Sequence, residues 1–176
     1  MTTTHQHAAT VLLQDTFERI NELVDGITDG LSREQSAFRP DPGANSIGWL
    51  VWHLSRVQDH QIAGLTGSPQ VWTEQGWDKK FDLPLDPGDT GYGHTAEQVG
   101  QVSATGELLA GYHRAVRVAT SAYLEGLAAD GLDRIVDRDW DPPVTAGVRL
   151  VSTFADCLQH CGQAGYVRGL ADRSTG

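Results

Sequence analysis

Lysine, cysteine and methionine are scarce in this 176-residue chain: two lysines stand against 11 arginines, with two cysteines and one methionine. A formal net charge of −10 leaves little basic surface for nucleic acid, whose phosphates such a chain repels. The two cysteines, Cys157 and Cys161, are four apart. On a helix they point to nearly the same side, where a bridge would strain the backbone, so they read as small buried apolar groups. No run approaches the roughly 20 apolar residues that a membrane span needs. The opening "MTTTHQHAAT" lacks the basic start and apolar core of a signal peptide. A cytoplasmic protein is therefore expected, as one domain over residues 1–176. Residues 1–8, with His5 and His7, read as a disordered tail. The arginine-rich, lysine-poor balance hints at a GC-rich genome.

Strand-like alternation is also nearly absent. What is present is helical period. Leu13, Phe17, Ile20, Val24, Ile27 and Leu31 step by fours and threes, one stripe of a helix. "FRPDPGANS" breaks the chain. Asn45 or Ser46 caps a second helix, with Ile47, Leu50, Val51, Leu54, Val57 and Leu65 on one side and Trp49, His53, Arg56 and His60 on another. From Gln70 to His94 the pattern fails in a long loop rich in Gly, Pro, Asp and aromatics. Thr95 then caps a long third helix carrying Val99, Val102, Leu109, Tyr112, Val116, Ala119 and Leu124, with His113 assigned to its exposed surface. "DRDWDPPVTAG" breaks it, and a last helix runs from about Val148 to Leu170. Four long helices predict an all-α four-helix bundle with a long loop between helices 2 and 3.

Asp156 and His160, at i and i+4 on the last helix, meet one turn apart. Together with Gln163 they lie on an arc of about 60°, apart from the apolar arc that holds both cysteines. The spacing suits two ligands of one ion, and it also suits a surface ion pair. His53 stands between Trp52 and Leu54, where an uncompensated polar ring is costly. It is either a core histidine bonded to an oxygen or an inward ligand of the kind that bundles use.

Four stretches, "NSIGWLVWHL", "GYGH", "WDPPVTAGVRLVS" and "QHCGQAGYVRG", resemble the DinB-like bundle superfamily in an actinobacterial branch. That superfamily includes the mycothiol-dependent maleylpyruvate isomerases and thiol S-transferases. The resemblance covers about residues 10–171. It implies a metal triad of His53, Asp156 and His160, with Asp156 where many members have His and the isomerases have Glu. Two histidines and a carboxylate with open positions suit catalytic Zn²⁺, while Ni²⁺, Fe²⁺ and Mn²⁺ take similar ligands.

Around the triad, Gln163 is either a partner of a ligand histidine or a helix-packing residue. His60 either lines the pocket mouth or is merely exposed. Arg168 either binds a carboxylate or caps the last helix. Trp72, Trp77, Tyr92 and His94 either close over a ligand or anchor the long loop. Trp52, opposite its helix's main stripe, packs under that loop or against a second copy, which would make a homodimer.

With both cysteines on the apolar arc, no nucleophile stands beside the triad. The leading expectation is a metal-dependent enzyme in which a low-molecular-weight thiol, mycothiol in the family, is the cosubstrate and a small molecule is conjugated or isomerised. The alternatives are a metal-dependent hydrolase and a non-catalytic bundle that binds a metal or small ligand under stress.

Overall fold

A computed structural model describes residues 2–128 and 130–174, with side chains from residue 8 on. Four long helices, α1 (Thr2–Thr28), α3 (Ile47–Thr66), α7 (Gly106–Glu125) and α8 (Ala146–Ser174), build the bundle. The shorter α2 (Arg33–Ser36), α4 (Val71–Glu74), α5 (Trp77–Phe81) and α6 (Ala96–Gln101) lie in the connections. A 3-10 turn (Gly131–Asp133) and a hairpin of β1 (Ile135–Asp137) and β2 (Val144–Thr145) precede α8. α3 packs most extensively on α8, and α1 on α7. No described helix is long and apolar enough to cross a membrane.

The apolar stripes behave as their spacing requires. Leu13, Phe17, Ile20, Val24, Ile27 and Leu31 are all buried. Ser46 caps α3 by accepting the Trp49 N–H at 3.1 Å, and Gly67, at φ 73°, ends it. A thiol lies in the seam between α3 and α8: the Cys157 Sγ is 3.6 Å from the Leu54 carbonyl, and Cys161 and Ala164 on the same helix are also buried. Small residues there let the two helices approach closely enough for a side chain of one to touch the backbone of the other.

Several expectations need correction. The 1–8 tail is helical from Thr2 on; Met1 and the side chains of His5 and His7 lie outside the described residues. The long third helix is two. Thr95 caps α6, the chain turns extended at Val102, and Thr105 caps α7. The break lets the start of α7 meet the end of α1 backbone to backbone. The Gly106 N–H donates to the Leu31 carbonyl at 2.9 Å, and a Cβ at Gly106 would run into the Thr28 carbonyl. The long loop carries α4 and α5. Trp52 is buried beneath it, against Trp72 at 6.2 Å and the His94 ring at 5.9 Å, so it offers nothing to a second copy.

His113, expected at the surface, is in the core. Its Nε2–H donates to Asn21 Oδ1 at 2.9 Å, and its Nδ1 faces the Ser55 hydroxyl at 3.0 Å. Burial, and then the charges of Arg117 and Arg114, push its pKa down to about 4. The unfolded chain binds this proton near pH 6.5 and the folded chain does not, so the folded state loses stability as pH falls from about 6.5 to 4. The full effect is on the order of 3 kcal/mol. Chemical denaturation of His113→Gln between pH 7 and 4 should show a shallower fall than wild type over that window; parallel curves would contradict it.

Candidate metal centre

The sequence places His53 one turn after Trp49 on α3, and Asp156 one turn before His160 on α8. Because α3 and α8 lie so close, the four side chains meet. The His53 and His160 ring centroids are 4.8 Å apart at 77°. His160 Nε2 lies 3.6 Å from Asp156 Oδ1, ion-pair range but too long for a hydrogen bond. One ligand atom from each of His53, Asp156 and His160 falls within 4.8 Å of the others. The Trp49 indole stacks on His53 at 4.5 Å and meets His160 edge-on at 6.2 Å, walling one side. The Asp156 side remains partly open to solvent.

Hydrogen bonds fix which nitrogen of each ring is bare. The His53 Nδ1 lies 2.5 Å from the Thr90 carbonyl, which can only accept, so Nδ1 carries the proton and Nε2 a lone pair. The His160 Nδ1 lies 2.8 Å from Gln163 Oε1, with the same result. Gln163 is thus a partner of a triad histidine. Asp156 Oδ2 is buried without a hydrogen-bond partner. Two bare imidazole nitrogens, an orphaned carboxylate oxygen and satisfied far nitrogens are what a divalent cation requires of its surroundings. The residues present fit such an ion.

The charges act differently on the three groups. Burial lowers the His53 pKa, against the pull of the Thr90 carbonyl, and keeps the ring neutral at neutral pH. His160 holds Asp156 below the ordinary carboxylate range, against partial burial. Burial pulls His160 down, but Asp156 and Gln163 outweigh it and raise its pKa, which favours a proton on Nε2 that a cation would displace. Both thiols go the other way. Burial pushes Cys157 far up and Cys161 up to about 12, so neither is a thiolate at neutral pH.

The long loop reaches His53 through a set of contacts that the sequence did not single out. Arg56 and Asp59, both buried on α3, lie 3.6 Å apart. Arg56 donates to the Asp89 carbonyl at 3.1 Å and to Gln70 Oε1 at 2.8 Å. Asp59 accepts the Val71 and Trp72 N–H groups at 2.9 and 2.8 Å and the Tyr112 hydroxyl at 2.8 Å. This pair ties down both ends of the loop, leaving Thr90 against His53. Gly91, at φ 92°, makes the approach possible: a Cβ there would lie 2.8 Å from His53 Nδ1 and 3.0 Å from the Trp52 ring.

The other candidates sit elsewhere. His94 accepts the Trp49 indole N–H on Nδ1 at 3.1 Å and bonds Asp89 through Nε2 at 2.8 Å, so it anchors the loop and has no nitrogen left for a metal. Trp72 and Trp77 pack on Tyr112. Tyr92 is 92% exposed. His60 is exposed and within 3.4 Å of Gln70. Arg168 caps α1 instead of its own helix, donating to the Ile27 and Asp29 carbonyls at 2.9 and 3.2 Å.

Titration with Zn²⁺ against a competing chelator should rank the contributions. Asp156→Ala and His160→Ala should lose affinity to a similar degree, since each removes one ligand. Gln163→Leu should weaken it about 10–100-fold by freeing the His160 ring. Gly91→Ala should weaken it while leaving the helical content intact, because the methyl group displaces either the loop or His53. Wild-type affinity in Gly91→Ala would show that the loop does not hold the ring.

Three comparisons place this geometry among known proteins. A family model described as mycothiol S-transferase matches residues 12–173. A solved structure titled a conserved protein from Enterococcus faecalis superposes with a TM-score of 0.86 and 35% identity, covering 92% of this chain and 96% of that one. No curated protein matches. The match over nearly the whole chain, on an all-α DinB-like bundle, places this protein in the mycothiol S-transferase family.

Proposed function

We propose that this chain is a metal-dependent S-transferase that joins a low-molecular-weight thiol of the mycothiol type to a small electrophile in the cytoplasm. His53, Asp156 and His160 would hold the cation, Zn²⁺ ahead of Ni²⁺, Fe²⁺ or Mn²⁺. The observation that carries the reading is that ligand atoms of His53, Asp156 and His160 lie within 4.8 Å of one another while both Nδ1 atoms are turned to oxygens, in a chain whose own thiols are sealed in the core. A bound divalent cation lowers the pKa of a coordinated thiol and so supplies thiolate at neutral pH.

The chain's residues do the rest. Thr90 and Gln163 hold both rings in the tautomer that leaves Nε2 bare. Asp156 balances one of the cation's two positive charges. Trp49 keeps water from one side of the rings. The thiol's sulfur forms a bond to an electrophilic carbon. In an addition, the electron pair moves onto the acceptor, which then takes a proton from solvent. If instead the sulfur leaves before that proton arrives, after rotation about the weakened bond, the electron pair returns, the thiolate is regenerated and the product is an isomer.

Metal-loaded protein should be offered a thiol with a panel of electrophiles and, separately, esters and amides. Thiol-dependent conjugation or isomerisation is expected, falling about a hundredfold or more in His160→Ala. Hydrolysis without thiol consumption would replace this reading with a metal-activated water. Tight binding with no turnover on either panel would replace it with a binding protein.

A further inference from the structure

A groove of about 410 Å³ runs between α3 and α8 and ends at Asp156. Val57, Thr153 and Val148 line it, and the β1–β2 hairpin closes the far end with Val144 and Trp140. Trp140 is 67% exposed, although it forms one wall of this groove. Arg149 in the wall is held on both sides. It donates to Gln61 Oε1 at 3.0 Å and to Asp137 Oδ2 at 3.0 Å. Asp137 offsets the guanidinium's charge, and the two contacts fix its plane.

We propose that this groove is the pocket for the electrophile, and that it takes a neutral, planar, unsaturated carbonyl compound. The inference rests on the S-transferase reading for what happens at its Asp156 end; the binding itself does not. Its volume suits one small ring system. Valine side chains and an indole face favour a flat apolar body over a flexible polar one. A balanced arginine offers N–H groups to a carbonyl oxygen without selecting an anion. Asp156 lines the groove and also belongs to the triad, so a molecule lying against that residue is next to the metal ligands. Trp140 is then a binding residue that stacks on the acceptor, and Arg149 orients its oxygen.

Coumarin serves as the probe, being flat, apolar, neutral and an unsaturated carbonyl compound. Its binding is followed by calorimetry and by its proton NMR lines, with no thiol present. Wild-type protein should bind it saturably. Trp140→Ala should weaken binding about tenfold or more and Trp140→Phe only about threefold or less, because an aromatic face is kept. Val148→Trp, at an exposed position, should fill the groove and abolish binding. Circular dichroism checks that each variant stays helical. In protein loaded with Mn²⁺, the coumarin lines should broaden strongly relative to the Zn²⁺ form. Absence of saturable binding, equal binding in Trp140→Ala, or binding to the Mn²⁺ form without broadening would each overturn the proposal. Metal uptake is titrated separately. Trp140-dependent coumarin binding in a chain that takes up no metal would sink the S-transferase reading while upholding the groove as the ligand site.

Discussion

The close packing of α3 on α8 is the constraint that the site depends on, and the Cys157 thiol, 3.6 Å from the Leu54 carbonyl, shows how little room the seam leaves. A larger side chain at Cys157 would push the helices apart, since a packed interior does not absorb extra volume without strain. Both triad histidines project from these two helices. A shift of an ångström or two between the helices would separate their Nε2 atoms. The groove that ends at Asp156 lies in the same seam, so one packing distance governs both the triad and the space beside it.

A second constraint comes from the loop. It crosses α3 under a buried charge pair, Arg56 and Asp59, which together take three backbone groups of the loop: the Asp89 carbonyl and the Val71 and Trp72 N–H groups. Removing one member of such a pair strands the other, at a cost of about 3–5 kcal/mol. The pair therefore binds the loop more firmly than exposed contacts could. The consequence at the site is a single hydrogen bond, from His53 to Thr90, that selects the tautomer. Fold stability and ligand chemistry are linked through that loop.

Much of the site was legible because helical period is a local property. Asp156 and His160 are one turn apart whatever surrounds them, and Gln163 follows on the same arc. The cysteines read as apolar filler and are filler. The resemblance to the DinB-like superfamily joined His53 to that pair. The loop was harder to read. Its aromatic residues left two readings open, and most of them prove to be anchors, with His94 stacked on Trp52 and Tyr92 pointing to solvent. Gly91 carried no mark to distinguish it from Gly93 two residues on, although both have positive φ. Only the ring that Gly91 lies against makes its missing side chain matter.

The sequence by itself determined the four long helical stripes, their apolar faces, the cap at Thr95, a cap at Asn45 or Ser46, and which polar residues share an arc, because these depend on neighbours within a few positions. The Thr105 cap, which accepts the Leu108 N–H, was just as local but was passed over; what the sequence could not show is that the break there brings Gly106 onto the Leu31 carbonyl, more than 70 residues earlier. Nor could it show that His113 is buried, because that depends on Asn21 and Ser55 arriving from two other helices. The tertiary structure decided the bare nitrogens, the orphaned oxygen of Asp156 and the groove beneath Trp140. The His53 tautomer and the groove arise from groups far apart in the chain, and distances of that kind are set by how helices pack, which local propensity does not encode; only the His160–Gln163 contact, three residues apart, is local.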